Sequence, residues 1–511
     1  ASEAASGARV SAALKPVRPE LEGLSYRMSA SSVSPARSSR WPRGTAYGSG
    51  RVTVARFSVP REAPGELYDL SIVAELGGRT VTDVQRNSVS VASISGSGGF
   101  RFISLTDIHV HERGISGFMN PVSDKGISKD GTPVFFRRAI EQVNLIRPDF
   151  VVMMGDYVSA QCRPGQLRRE FEMFYRQLPR FRVPVFMAAG NHDQYVNGID
   201  GAKLFERNIG PLHYSFDVGN SHFAVVNTSQ WSAGDRTVMS KFFGVFTYPR
   251  KWQGQVLSAS DERKPETYRG QLAWLRDDAA GWGKARHRFL VMHHDPFRAN
   301  GNGYAWKNQR FGLVITLGGG GHGRRALTEV ASKHRVDFCI TGHWHSDYIG
   351  RSAWSGGGGQ TAFVNQTCVG FDEGGMRDSY PGYRLWSVQG ASVLGYTYLD
   401  AFHSIPFYDG SVLDGETDTD RLERPSVSAR RTPAGFEAGS YLGVRLNLRG
   451  LVGVFPAGST AVRGGTVYQS VPLSGDPGRE LVYLEAGVGP GVPGASAAEV
   501  GERAVVEVVL E

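Results

Sequence analysis

Six of the 13 histidines stand directly after short apolar runs, each with a carboxylate, an Asn or a second His beside it. The run 100–105 leads to Asp107-Ile108-His109, 150–154 to Gly155-Asp156, and 185–188 to Gly190-Asn191-His192-Asp193. Two later runs follow the same plan, 289–292 into His293-His294-Asp295 and 338–341 into Gly342-His343-Trp344-His345. These are metal-ligand residue types. A single His after an apolar run is ordinarily a satisfied structural residue, but nothing structural requires five strand ends to carry so many polar groups that are costly to bury. In an open α/β sheet, sites gather beyond the carboxyl ends of the strands, so the five clusters can converge on one point.

The elements that must position them alternate in type. From residue 100 onward, short apolar runs are interleaved with helical spacing, which predicts βαβ units around a mainly buried sheet. Thr132-Pro133 opens a helix with Phe135, Ala139, Val143 and Ile146 on one face. Leu167, Phe171, Phe174 and Leu178 repeat that spacing, further helices are expected over 271–279 and 326–334, and 208–227 reads as two strands joined by a turn. Ahead of this region, 1–40 shows no periodicity and reads as a disordered start. The segments 51–59, 67–76 and 88–94 read as strands of a small sandwich ending in the Ser95-Gly96-Ser97-Gly98-Gly99 linker. After about Asp400 alternating segments at 441–448, 466–471, 481–484 and 504–510 indicate a second β-rich region. The expected division is 1–96, 97–400 and 401–511.

The 511 residues are 41% hydrophobic and 21% charged, which excludes disorder throughout the chain. No window approaches the roughly 18 apolar residues of a spanning helix. The net charge of +8 is spread along the chain, and 401–511 reverses it with 14 acidic against 9 basic residues. Dense Lys/Arg runs with interleaved aromatics are missing, so no nucleic-acid groove is evident. Cys162, Cys339 and Cys368 have neither metal-site spacing nor the number for a disulfide framework. Cys162 reads as an inert thiol near the site rim and Cys339 as a buried strand residue. The small-residue opening from Ala1 suggests a removed leader, hence export to the periplasm, the cell surface or the medium.

The series Asp-x-His, Gly-Asp, Gly-Asn-His-Asp, His, Gly-His-x-His, in that order, resembles the calcineurin-like metallophosphoesterase superfamily over about residues 100–400. The resemblance implies a four-layer αββα core, here between β-rich termini, and a site for two metal ions. It implies one metal on Asp107, His109, Asp156 and His345, and a second on Asp156, Asn191, His293 and His343, with Asp156 bridging. The ligands are N and O only, which suits Mn, Fe or Zn. Two such cations about 3.5–4 Å apart turn a bridging water into hydroxide and stabilise in-line displacement at phosphorus. His192 then assists the leaving group, with Asp193 orienting its ring.

His293 and His294 are adjacent, and strand alternation sends them to opposite faces, so one of them is expected to be the ligand, and the choice falls on His293. Asp295 before Pro296 departs from the commoner His-His-Pro form. His111 either touches substrate or plays a structural or solvent-facing part. The long connections 112–131 and 228–269 are expected to wall the site, the second with Trp231, Phe242, Phe243, Phe246, Tyr248 and Trp252 among Arg236, Lys241, Arg250 and Lys251. Arg298 is placed to bind substrate phosphate. The expected activity is a phosphodiesterase or phosphatase acting on a small-molecule phosphoester; the competing class is a binding or scaffold protein with a vestigial metal centre. Oligomeric state is not legible.

Overall fold

The computed structural model describes residues 9–37, 51–91, 99–117, 120–121, 127–160, 163, 165–194, 199–229, 271–296, 322–370, 380–396, 403–407, 426–440, 444–489 and 504–510. Arg298, Cys162 and the aromatic stretch from Trp231 to Trp252 lie outside these residues.

Two sheets stacked face to face form the centre. Strands β1 (Phe100–Leu105), β2 (Phe150–Met153) and β3 (Val185–Met187) run parallel in the first sheet. In the second, β4 (Tyr214–Val218) and β5 (Ser221–Val225) form a hairpin, and β6 (His287–Val291) and β7 (Phe338–Thr341) extend the sheet parallel to β5. A second hairpin, β8 (Tyr348–Ala353) and β9 (Gln360–Asn365), completes it, giving the order β4-β5-β6-β7-β9-β8. Late in the chain β10 (Gly382–Gln389) returns to pair antiparallel with β1, and β11 (Ser392–Tyr396) closes the first sheet as β3-β2-β1-β10-β11.

Period-2 alternation sorts the side chains into layers. Phe100, Phe102, Phe150 and Val152 from one sheet meet Phe223, Phe289 and Val291 from the other in an aromatic-rich interior. Phe223 and Phe289 stack with centroids 4.4 Å apart, and Phe102 lies flat against Trp386 at 5.6 Å. The alternate residues Ile103, Leu105, Val151 and Met153 face outward onto α1 (Val134–Ile146) and α2 (Gln166–Tyr175), with α3 (Gly201–Asn208) beside them. On the opposite outer face Ala224, Leu290, Cys339 and Phe363 pack under α4 (Gln271–Ala280) and α5 (His322–Lys333). The architecture is a four-layer αββα sandwich with β-rich regions at both ends of the chain. Pro133 sets the entry of α1 with φ −58, and the helix stops where Arg147 turns left-handed (φ 50) ahead of Pro148.

The terminal regions hold one correction. Residues 9–16, 26–29 and 32–37 are strands, although 1–40 reads as aperiodic; the first pairs with Leu67–Leu76 in a four-stranded sheet that ends in Arg79–Ser90. Its inward residues Ala12 and Leu14 do alternate, but a face built partly from alanine carries a weak hydrophobic signal. The expected strand 88–94 coincides with the tail of that long final strand over 88–90, and 92–94 lie outside the described residues. At the other end, Leu446–Pro456, Asp476–Val488 and Thr466–Leu473 form one sheet, and a second is built on Gly435–Ser440. Leu448, Leu451, Val482 and Leu484 from these sheets share a continuous apolar cluster with Phe135, Ala139 and Ile140 of α1.

Candidate metal centre

The carboxyl ends of β1, β2 and β3 from one sheet and of β6 and β7 from the other meet at one place. Backbone hydrogen bonds lock the loops that leave them: Asp107 N–H donates to Gly155 O (3.0 Å), His109 N–H to Asp156 O (3.0 Å) and Gly342 N–H to His293 O (2.9 Å). Close approach demands glycine at two points. A Cβ on Gly342 would overlap Thr106 Oγ1, and one on Gly190 would overlap Asp156. Five site residues, Asp107, His109, Asp156, His343 and His345, adopt left-handed backbone with φ between 51 and 71. For non-glycine residues such conformations cost about 1–3 kcal/mol each and persist only where the surroundings enforce them.

Asp107 and Asp156 are buried, and each divides its two oxygens between framework and centre. Asp107 Oδ2 accepts from Thr106 Oγ1 (2.7 Å) and His343 N–H (2.8 Å), while Oδ1 faces His345 Nε2 at 3.1 Å, His109 Nε2 at 3.7 Å and His293 Nε2 at 3.9 Å. Asp156 Oδ1 accepts the His192 N–H (2.8 Å), and Oδ2 faces His293 Nε2 at 3.1 Å and His192 Nε2 at 3.8 Å. His109 Nε2 and His345 Nε2 approach to 3.2 Å. Among the described residues, candidate ligand atoms lie within 4.8 Å of one another in four groups: Asp107–His109–His345, Asp107–Asp156–His293, His109–Asp156–His192 and His293–His294–His343. Asn191 is buried on the same loop, between Gly190 and His192.

Electrostatics follow from this packing. Burial pushes the Asp107 and Asp156 carboxyls up, but the facing histidines, His345 and His293 for the first and His293 and His192 for the second, overcome it and hold both below the usual range. Burial lowers His293, yet Asp156 and Asp107 raise it to about 9, so a proton on His293 stands where a cation would neutralise the same two carboxylates. Burial and the neighbouring His293 push His343 down to about 3, leaving a neutral ring with a lone pair to offer. A donor set of two ionised carboxylates and neutral or proton-exchanging imidazoles fits metal ions, whose binding displaces such protons.

The site residues named from sequence come together here, with two corrections and one exception. Asp193 does not orient His192. Its oxygens accept the backbone N–H groups of Asp156 (2.8 Å), Tyr157 (2.8 Å) and Gly190 (2.7 Å), because the 3₁₀ turn His192–Gln194 points consecutive side chains in different directions. The ring of His192 is set by Ser159 O, 2.7 Å from Nδ1, and burial pushes its pKa to about 4. The second correction concerns His293 and His294. They lie beyond the end of β6, where alternation no longer applies, and both rings turn to His343, with centroids 5.1 and 4.2 Å away. The exception is Arg298, outside the described residues. His111 is buried with Nδ1 3.3 Å from His109 O, which is structural rather than substrate-facing.

Sequence reasoning missed two supporting residues. Glu170 of α2 accepts from Glu112 N (3.1 Å), Ser159 N (3.1 Å), Ala160 N (2.6 Å) and Gln166 Nε2 (2.6 Å), tying the loops after β1 and β2 together. Asp347 pairs with the buried Arg384 at 2.8 Å and accepts from Ser404, anchoring the loop that bears His343 and His345. Glu170 sits on the apolar face of its helix, the one signal that could have found it.

Residues 100–347 match the family model for calcineurin-like phosphoesterases. The chain carries a calcineurin-like metallophosphoesterase domain, the domain of a class of metal-dependent phosphoric ester hydrolases. Among solved structures it is similar to purple acid phosphatase PPD1 from yellow lupin (Lupinus luteus) seeds, at 14% identity over 84% of this chain and 73% of that one, with a TM-score of 0.43. No curated protein matches the sequence. Among the described residues no helix is long and apolar enough to cross a membrane.

Proposed function

We propose that this protein hydrolyses a small-molecule phosphoester at a dinuclear metal centre. The observation that carries the reading is the pair of buried carboxylates, Asp107 and Asp156, each turning one oxygen to a common centre and faced there, among the described residues, by imidazoles rather than by Lys or Arg. Asp107, His109, Asp156 and His345 would hold one ion, and Asp156, Asn191, His293 and His343 the second, with Mn, Fe or Zn suited to the donors. When bound, the ions supply an activated water and neutralise the phosphoryl oxygens.

The chain's own residues do the rest. His192 donates its Nδ1–H to Ser159 O and turns Nε2 to the centre, where a neutral ring takes up a proton and gives it to the leaving alkoxide. Asp193 holds the loop that carries Asn191 and His192 rather than taking part in proton transfer.

Elemental analysis combined with hydrolysis of bis(p-nitrophenyl) phosphate and p-nitrophenyl phosphate tests the reading. The expected outcome is two metals per chain, turnover of at least one ester, and loss of both turnover and at least one metal in Asp156→Asn. A wild-type protein without metal or turnover after resupply of Mn, Fe and Zn would overturn it.

A further inference from the structure

The adjacent histidines after β6 are committed in opposite senses by their outer nitrogens. His293 Nδ1 lies 2.6 Å from Met154 O, and a carbonyl only accepts, so Nδ1 bears hydrogen and Nε2 is the atom free to give its proton up to a cation. At His294 the partner is Thr228, whose Oγ1 accepts the His294 backbone N–H at 3.0 Å and lies 2.9 Å from Nδ1 of the same residue. Thr228 is fully buried, and among the described residues its hydroxyl has no other partner. Were His294 Nδ1 also a donor, both the hydroxyl hydrogen and the Nε2 lone pair would lack a partner among the described residues, whereas the opposite arrangement leaves only the Nε2 hydrogen over. The hydroxyl therefore donates to Nδ1, and the ring hydrogen of His294 sits on Nε2.

That Nε2 is buried and, among the described residues, has no hydrogen-bond partner. The ring lies 4.2 Å from the His343 ring and 4.8 Å from that of His293, centroid to centroid. An N–H donor in this place has no lone pair to give a metal, but a ring nitrogen of His294 lies within 4.8 Å of one on each of His293 and His343.

We propose that His294 is a phosphate-binding donor, not a metal ligand: Thr228 holds it as the Nε2–H tautomer, and Nε2–H donates to a non-bridging phosphoryl oxygen of the bound ester. The proposal rests on the hydrolase reading above and deepens it, since a donor of this kind strengthens its bond as charge develops on that oxygen.

Three measurements on the full chain test it. Metal content in His294→Leu and His294→Gln is expected to equal wild type, whereas loss of a metal in both would make His294 a ligand and overturn the proposal. Inorganic phosphate, used as a competitive inhibitor, is expected to weaken by about 10-fold or more in His294→Leu and kcat to fall about 100-fold, with partial recovery in His294→Gln, whose amide still donates. Wild-type phosphate inhibition in His294→Leu would overturn it. Long-range 1H–15N correlation on 15N-histidine-labelled metal-free protein should show the hydrogen of His294 on Nε2, and Thr228→Val should shift this tautomer balance. Hydrogen on Nδ1 would overturn the proposal. This last readout needs no metal, so it tests the tautomer of His294 even if the two-metal reading fails.

Discussion

At the scale of single residues, neighbours in sequence do unlike work. His192 and Asp193 share one turn, yet the first presents Nε2 to the centre and the second spends both oxygens on buried N–H groups. Their substitutions should separate accordingly. His192→Ala is expected to keep full metal content and to lower kcat about 100-fold or more, as measured by elemental analysis and ester hydrolysis. Asp193→Asn should instead lower stability by about 2–4 kcal/mol in urea unfolding, because one acceptor becomes an NH₂ facing the N–H groups of its former partners. The convergence of the polar clusters was legible in the sequence, since each follows a short apolar run that reads as a buried strand. The part played by Asp193 was not, since adjacency says nothing about where a side chain points in a 3₁₀ turn. The parts of Thr228 and Ser159 were equally hidden: one acts through a hydroxyl and the other through a carbonyl, 66 and 33 residues from the rings they set.

At the scale of elements, the helices of the sandwich were readable from apolar spacing, and α1 begins and ends where Pro133 and Pro148 require. What spacing does not show is the polar stitching that docks helix to sheet. His222 of β5 lies between Asp217 (2.7 Å) and Asp278 of α4 (3.0 Å), while Asp278 also accepts from Ser215 (2.8 Å) and Trp282 Nε1 (3.0 Å). Burial lowers the His222 pKa, but hydrogen bonding and charge from Asp278, then Asp217, outweigh it, and the pKa is raised. A raised histidine binds its proton more tightly in the folded chain, so its contribution is complete below pH about 6.5 and is lost as pH climbs through the folded value. Calorimetry from pH 6 to 9 should show a decline in Tm that is shallower in His222→Gln. Glu170 works similarly for α2, and Glu170→Ala, which strands two buried N–H groups and a part-buried third and loosens Ser159, should lower both stability and kcat without changing metal content.

At the scale of the molecule, the β-rich ends are keyed into the sandwich by one buried charge. Glu66, at the start of the long N-terminal strand, is 2.6 Å from Arg18 Nε and 3.6 Å from Arg147 Nη2, and it accepts from Tyr483 of the C-terminal sheet. Arg147 lies over the Tyr483 ring at 4.6 Å, so the end of α1, both terminal regions and one carboxylate form a single contact. Burial raises the Glu66 carboxyl, and Arg18 and Arg147 more than reverse it. Glu66→Gln removes the shared anion from the buried Arg18 and the partly buried Arg147 and is expected to cost about 3–5 kcal/mol. Urea unfolding should register that loss in one transition; an unchanged midpoint would show that the termini sit on the sandwich without supporting it. Alternating segments announced β-rich ends, but a contact joining residues 18, 66, 147 and 483 leaves no local pattern to read.

The return of β10 to the middle of the first sheet also sets a clock on synthesis. Trp386 Nε1 donates to Ser104 Oγ across 282 residues of chain, and β1 has β10 as its partner on that whole edge. At about 5–20 residues per second, a ribosome needs roughly 15–55 s between making β1 and making the strand that covers it. During that interval a six-residue strand with Phe100, Phe102 and Ile103 has an open edge, the kind of surface that chaperones bind and that other nascent chains can pair with. Yield of native protein should therefore depend on translation speed and chaperone supply more steeply than its folded stability alone would suggest.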